Sequence, residues 1–198
     1  LETNVMQHIE KPASENVRER YLSDEEIKLF LANVHHAGSA ANHLKTLLYT
    51  GMRLREPLRC TFGDIDGERL HVPDTKNGLD FVVYLSPTVR TFGFDAGGEA
   101  DERIFKNSLT AASKPILKVL LAIRTIKPFS AHDLRRTMVT KLSSMRDDDG
   151  RRIVTKEVID KMINHKDRTT SGIHYDKYDY YEEKKAGWQA WSDWLDAL

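Results

Sequence analysis

The sequence predicts an α+β fold, mainly α-helical, with a small three-stranded antiparallel sheet near the N-terminal third. Three observations predict it. Apolar residues recur at helical spacing before position 50 and again after position 109. Between about 59 and 86 that period gives way to short β-branched and aromatic runs, divided by tight-turn dipeptides. The chain then closes on Trp188, Trp191, Leu195 and Leu198, with Trp194 nearby, a stripe at helical spacing.

Residues 1–20 are polar and aperiodic and read as an N-terminal tail or linker, leaving 21–198 as one domain. The leading Leu1, where a complete chain would carry Met, leads us to expect a fragment of something longer. Folding should begin at Tyr21–Val34. There Ser23 and Glu26 form a capping-box pattern, and Ile27, Leu29, Phe30 and Leu31 supply an apolar helical face. A second helix is expected from about Ala40 to Thr50, ended by Gly51.

The sheet is expected from RCTFGDID, RLHVP and DFVVYLS. Asp66-Gly67 turns the first pair and Asn77-Gly78 the second. Residues 93–102, GFDAGGEADE, read as a loop. Leu109–Ile126 reads as a helix with Pro115 near its start or at a kink. Ser130 is placed to cap a helix through HDLRRTMVTKLSSM, and RDDDGRR at 146–152 reads as a charged loop. Thr155–Ile163 is expected to be helical, with Val158, Ile159, Met162 and Ile163 facing inward. A tyrosine-rich stretch at 173–181 leads to the last helix.

Composition narrows the function classes. Hydrophobic residues make up 40% and charged residues 30% of the 198, a soluble globular balance that excludes wholesale disorder. No apolar run approaches the roughly 18 residues of a membrane span, and the N-terminus lacks the pattern of a signal peptide. Cys60 stands alone, which excludes a disulfide framework and a cysteine zinc site and fits a reducing cytoplasm. Thirty basic and thirty acidic residues cancel. That balance counts against a nucleic-acid partner unless the charges are segregated onto separate faces.

Four local signals occur in one order: Thr50-Gly51-Met52-Arg53-Leu54-Arg55-Glu56; Lys76 in the hairpin; His132-Asp133-Leu134-Arg135-Arg136; and Asn164-His165, with Tyr175 ten residues later. This set resembles the tyrosine recombinases, or phage integrases. Their pattern has an Arg in T-G-x-R-x-x-E, a Lys in a β-hairpin, H-x-x-R on a helix, a later His or Trp, and a Tyr shortly after. The resemblance spans about residues 20–198, and HYDKYDYYEEKKAGWQAW is similar to the ends of prophage-type integrases. The interval from Arg53 to His132 is short for the family and that from Arg135 to His165 is long, but neither removes a member of the set.

The residue types suit the chemistry the resemblance implies. An anionic phosphodiester resists nucleophiles until its charge is met, and arginine forks meet it while staying charged. Arg53 and Arg135 would supply two. His132 and Arg135, three apart on a helix, share one face, and His165 would add a donor. The resemblance assigns Lys76 as general acid to the leaving 5′-oxygen and Tyr175 as nucleophile. His132 would take the phenolic proton. Tyr178 is the alternative nucleophile, Tyr180 and Tyr181 read as packing residues, and Glu56 reads as an orienting partner for an arginine. Read separately, each piece has a plainer meaning. Arg53 could be a surface arginine paired with Glu56, Lys76 a solvated turn lysine, Arg135 and Arg136 a basic stripe, and His165 a helix-end histidine favoured by the dipole.

The implied activity is site-specific DNA recombination, the integration or excision of a mobile element, through a 3′-phosphotyrosine. No cofactor or metal is expected. The implied partners are double-stranded DNA and, for a full-length protein, three further copies in a tetramer. No membrane is expected, and the implied location is the bacterial cytoplasm, with the nucleoid. A family member usually carries an N-terminal DNA-clamping domain. The 20 residues before this domain cannot supply one, so weak DNA binding by the domain alone is expected. Two other readings stay open: relaxation of DNA in the manner of a type IB topoisomerase, and a DNA-binding or assembly module that no longer cuts. The tryptophan stripe is read as packing in its own chain, with docking on a neighbouring protomer as the alternative.

Overall fold

The computed structural model describes residues 19–73, 81–165 and 178–198. The first helix, α1 (Asp24–Asn33), begins where the sequence supplies its cap. Ser23 Oγ accepts from the Glu26 N–H at 3.3 Å, and Glu26 Oε2 accepts from the Ser23 N–H at 2.9 Å, so two orphan donors are satisfied reciprocally. Ile27 and Phe30 face the core, and Leu31 packs beside them. Leu29, expected on the same face, is exposed. Two residues beyond Ile27, it is turned about 200° around the helix axis.

A 3₁₀ segment, Val34–Ala40, carries the chain into α2 (Ala41–Thr50). Gly51 ends α2 in the left-handed conformation, φ 69°, with its N–H on Leu47 O. A Cβ there would lie 2.6 Å from Met138 Sδ, so both backbone and space require glycine.

Strands β1 (Ile65–Asp66), β2 (Arg69–His71) and β3 (Val82–Tyr84) pair antiparallel in the order β1-β2-β3. Ile65 lies opposite Leu70, and Leu70 opposite Val83. The sheet is the expected one but shorter. Residues 60–63 stay out of this sheet and bond instead to the backbone of 100–104, with Thr61 opposite Arg103. The Asp64 carboxylate turns the chain by taking the Thr61 N–H at 2.8 Å and its hydroxyl at 3.0 Å. The Asn77-Gly78 turn lies outside the described residues. After β3 comes a helical turn, α3 (Pro87–Val89), running into a wider turn at Arg90–Phe94. Phe94, in the expected loop, is buried edge-on against Phe105.

Helix α4 (Lys114–Ile123) is shorter than the expected Leu109–Ile126 at both ends. Pro115 sits in its first turn, where a missing N–H costs nothing, and Arg124 ends it at φ 54°. Ser130 leads into α5 (Ala131–Ser144), with its N–H and hydroxyl both donated to the Asp133 carboxylate at 2.8 Å. Thr155 caps α6 (Lys156–Met162), which buries Val158, Ile159 and Met162. Ile163 just past its end is also buried.

The last helix, α7 (Tyr181–Asp196), buries Trp188, Trp191 and Leu195. Its indoles donate to α2: Trp188 Nε1 to Thr50 O at 3.0 Å, and Trp191 Nε1 to Leu48 O at 2.9 Å. The stripe therefore packs in its own chain. One hydrophobic cluster runs from Leu22 to Leu195. Among the described residues, no helix is long and apolar enough to cross a membrane.

Candidate phosphate-binding site

The end of α2, the start of α5 and the end of α6 meet at one place. Arg135 projects from α5 with its guanidinium buried. Nη1 donates to Gly51 O at 2.9 Å and Nη2 to Ile163 O. Arg53 comes from the stretch after Gly51. Its Nη1 donates to Glu56 Oε1 at 2.8 Å and its Nη2 to Asn164 O at 3.1 Å. The two guanidiniums thus bond to consecutive carbonyls and lie side by side. Asn164 adopts φ 47°, a left-handed conformation in which Asn is enriched.

Arg53, Arg135 and His132 line one cavity of about 520 Å³, walled on its apolar side by Ile116, Leu120 and Phe129. Burial, and next the neighbouring charge of Arg53, pushes the Arg135 guanidinium down to about 10, with Glu56 opposing. It therefore stays charged at neutral pH, held among the described residues by carbonyl dipoles. His132 is also held below the ordinary histidine range, first by desolvation and then by Arg136 and Arg135, with Asp133 opposing. Its neutral form is favoured.

His165 follows Asn164 but is not among the residues that line the cavity. Its ring is largely exposed, with Nδ1 3.9 Å from Asp160 Oδ1. Lys76 and Tyr175 lie outside the described residues. Tyr178 is exposed, its hydroxyl 3.2 Å from both Glu183 carboxylate oxygens. Tyr181 is buried, and Tyr180 packs against the core with its hydroxyl on Glu157 at 3.0 Å.

The stretch holding Arg53 has no regular structure, yet side chains read its backbone at almost every step. Thr50 O accepts from Trp188, Gly51 O from Arg135, and Leu54 O from His43 Nε2 at 2.9 Å. The Met52 N–H donates to Thr50 Oγ1 at 3.3 Å and the Arg53 N–H to Glu56 Oε2 at 2.7 Å. Glu56 was legible from the motif. Trp188 and His43 were not, since each is far from Arg53 in sequence or carries a side chain that reads as core. The one signal for His43 was its place four residues before Leu47, on the inner face of α2.

No protein-family model matches the sequence, and no curated protein matches it. Solved structures do. A lambda integrase dimer bound to a COC′ core site superposes with TM-score 0.61 at 17% identity, over 85% of this chain and 53% of that one. XerA recombinase gives 0.58 at 17% identity, over 90% and 67%. The integrase from mycobacterium phage Brujita gives 0.65 at 16%, over 91% and 59%. The chain spans about half to two thirds of the length of these structures. Its fold is that of a tyrosine-recombinase catalytic domain.

Proposed function

We propose that the pocket of Arg53, Arg135 and His132 holds a DNA phosphodiester, and that the chain is the catalytic part of a site-specific recombinase. The observation that carries this reading is the pair of adjacent guanidiniums. Among the described residues, Arg53 is paired with the Glu56 carboxylate and Arg135 is held by backbone carbonyls. Two positive charges against one negative leave a pocket that favours an anion, and each fork keeps donors to spare. Fixed donors in a water-poor site stabilise charge developing on a phosphate without reorganising.

In this reading the Tyr175 phenol oxygen attacks phosphorus while His132, favoured in its neutral form, takes the phenolic proton. The bond to the 5′-oxygen breaks, and Lys76 gives that oxygen a proton. A 3′-phosphotyrosine and a free 5′-hydroxyl result. Attack by another 5′-hydroxyl reverses the step and joins new strands, with the ester conserved and no nucleotide hydrolysed. His165 adds a donor to the phosphate. The roles of Lys76, His165 and Tyr175 rest on the sequence motifs. A DNA partner is supported by what similar structures contain: a core site for lambda integrase and a difH substrate for XerH. A lambda integrase tetramer on a Holliday junction supports tetramer assembly by the whole protein. Integration or excision of a mobile element, in a bacterial cytoplasm, is the biological setting this reading assigns.

The test is a nicked duplex carrying the cognate site, whose cleaved fragment diffuses away. Wild type accumulates a covalent adduct and Tyr175→Phe forms none. An adduct that survives in Tyr175→Phe but disappears in Tyr178→Phe would move the nucleophile. No adduct from the full-length wild type on its own site would overturn the cutting reading.

A further inference from the structure

We infer that His43 is a positioning residue for Arg53, acting through the Leu54 carbonyl; this rests on the functional reading above. His43 lies on α2, fully buried, eleven residues before Leu54. Its ring packs tilted against Phe105, with centroids 5.7 Å apart. A carbonyl only accepts, so the 2.9 Å contact with Leu54 O fixes the proton on Nε2. Nδ1 is then an acceptor, buried and without a partner among the described residues.

That arrangement is costly for a residue that merely fills space. A leucine or phenylalanine would fill the same volume with no polar atom to desolvate, whereas the imidazole leaves one nitrogen unsatisfied. What the imidazole adds is the donor to Leu54 O. The Arg53 N–H is already fixed by Glu56 Oε2, and the Glu56 N–H returns to Arg53 O at 2.9 Å. Those bonds close a turn on itself and do not tie it to the rest of the fold. The bond from His43 ties it to α2, as Arg135 ties Gly51 to α5. The Arg53 guanidinium is itself held by Glu56 and by Asn164 O, so what His43 sets is the place, relative to α2, of the backbone from which Arg53 projects. Burial holds the imidazole well below the usual histidine range, down to about 4, with the bond to Leu54 opposing, so the single-donor form persists across neutral pH.

Two variants separate positioning from packing. His43→Leu keeps an apolar core residue and removes the donor. His43→Gln offers an amide N–H at a reach close to that of Nε2. Each is measured in the full-length protein by thermal midpoint, affinity for the cognate duplex, rate of covalent adduct formation on the nicked substrate, and the amide resonances of 52–55. The expected result for His43→Leu is a midpoint close to wild type, because the unpaired Leu54 O is offset by removal of the unsatisfied Nδ1. With it go affinity within about twofold of wild type, shifted or broadened 52–55 amides, and adduct formation slowed about tenfold or more. His43→Gln should restore the amides and return the rate to within about threefold of wild type. Wild-type amides and rate in His43→Leu would overturn the proposal. So would a fall in midpoint and affinity together that glutamine does not repair, because that pattern describes packing alone. If wild type forms no adduct, the functional reading fails, and the amide resonances still decide whether His43 orders the Arg53 loop.

Discussion

The two arginines of the pocket are held in opposite ways. Arg135 sits on a fourteen-residue helix, is buried, and donates to two carbonyls from separate parts of the chain. Arg53 sits in a stretch with no regular structure, its side chain 27% exposed, and is paired with Glu56. A helix fixes its residue through its own backbone ladder. A loop has no ladder, so its backbone is fixed by side chains from α2, α5 and α7. The contrast teaches that Arg135 is a structural tie as well as a proposed phosphate ligand, whereas Arg53 is a proposed ligand whose position is set by others.

The largest expected effect tests that contrast directly. Lysine keeps the charge but loses the fork. In either position it should slow adduct formation by about 10²–10³-fold, the loss seen when one fixed transition-state donor is removed. Stability should separate the two. Arg135→Lys leaves a buried carbonyl unpaired and should cost about 1–3 kcal/mol in chemical denaturation. Arg53→Lys keeps its ion pair with Glu56 and loses one part-buried bond to Asn164 O, so it should cost less, about 0.5–1 kcal/mol. Equal stability losses would erase the distinction.

Next in size is the pH dependence of stability from His43. Its imidazole is depressed in the fold to about 4 from an ordinary 6.5. Above 6.5 it is neutral in both folded and unfolded chains and costs nothing. As pH falls from 6.5 to about 4, the unfolded chain takes up a proton that the fold refuses, so stability falls through that window. The fall should reach roughly 3 kcal/mol, at about 1.4 kcal/mol per pH unit. Denaturation of wild type and His43→Leu across that range should show this slope in the difference between them. Parallel curves would mean the ring is not buried as described. The smallest effect is Trp188→Phe, which removes the donor to Thr50 O and leaves a small gap beside the smaller ring, and should cost about 2 kcal/mol with the fold retained.

Much of this fold was legible because its signals are local. Ser23 with Glu26 marked the start of α1, Gly51 the end of α2, and Asp66-Gly67 the first hairpin. The first strand was overestimated because residues 60–63 pair with 100–104 and the Thr61–Asp64 turn separates them from the sheet, and neither partner leaves a mark on a β-like composition. Leu29 was misassigned because a dense apolar run hides which members share a face. In the site, Arg53, His132 and Arg135 were legible as motif residues and are brought to one cavity. The supports from His43 and Trp188 were not legible. They are long-range bonds from side chains to backbone carbonyls, and a carbonyl carries no sequence identity.

The central claim is that the paired guanidiniums of Arg53 and Arg135 receive one phosphodiester. It is tested most directly by following their side-chain Nε–H resonances while a short duplex is titrated at low salt. The account predicts that both resonances move together along one saturable curve, that the curve weakens as salt is raised, and that Arg53→Ala abolishes the response of Arg135. If DNA binds while both resonances stay still, or if they move with unrelated affinities, the pocket is not a phosphodiester site and the proposed function falls with it.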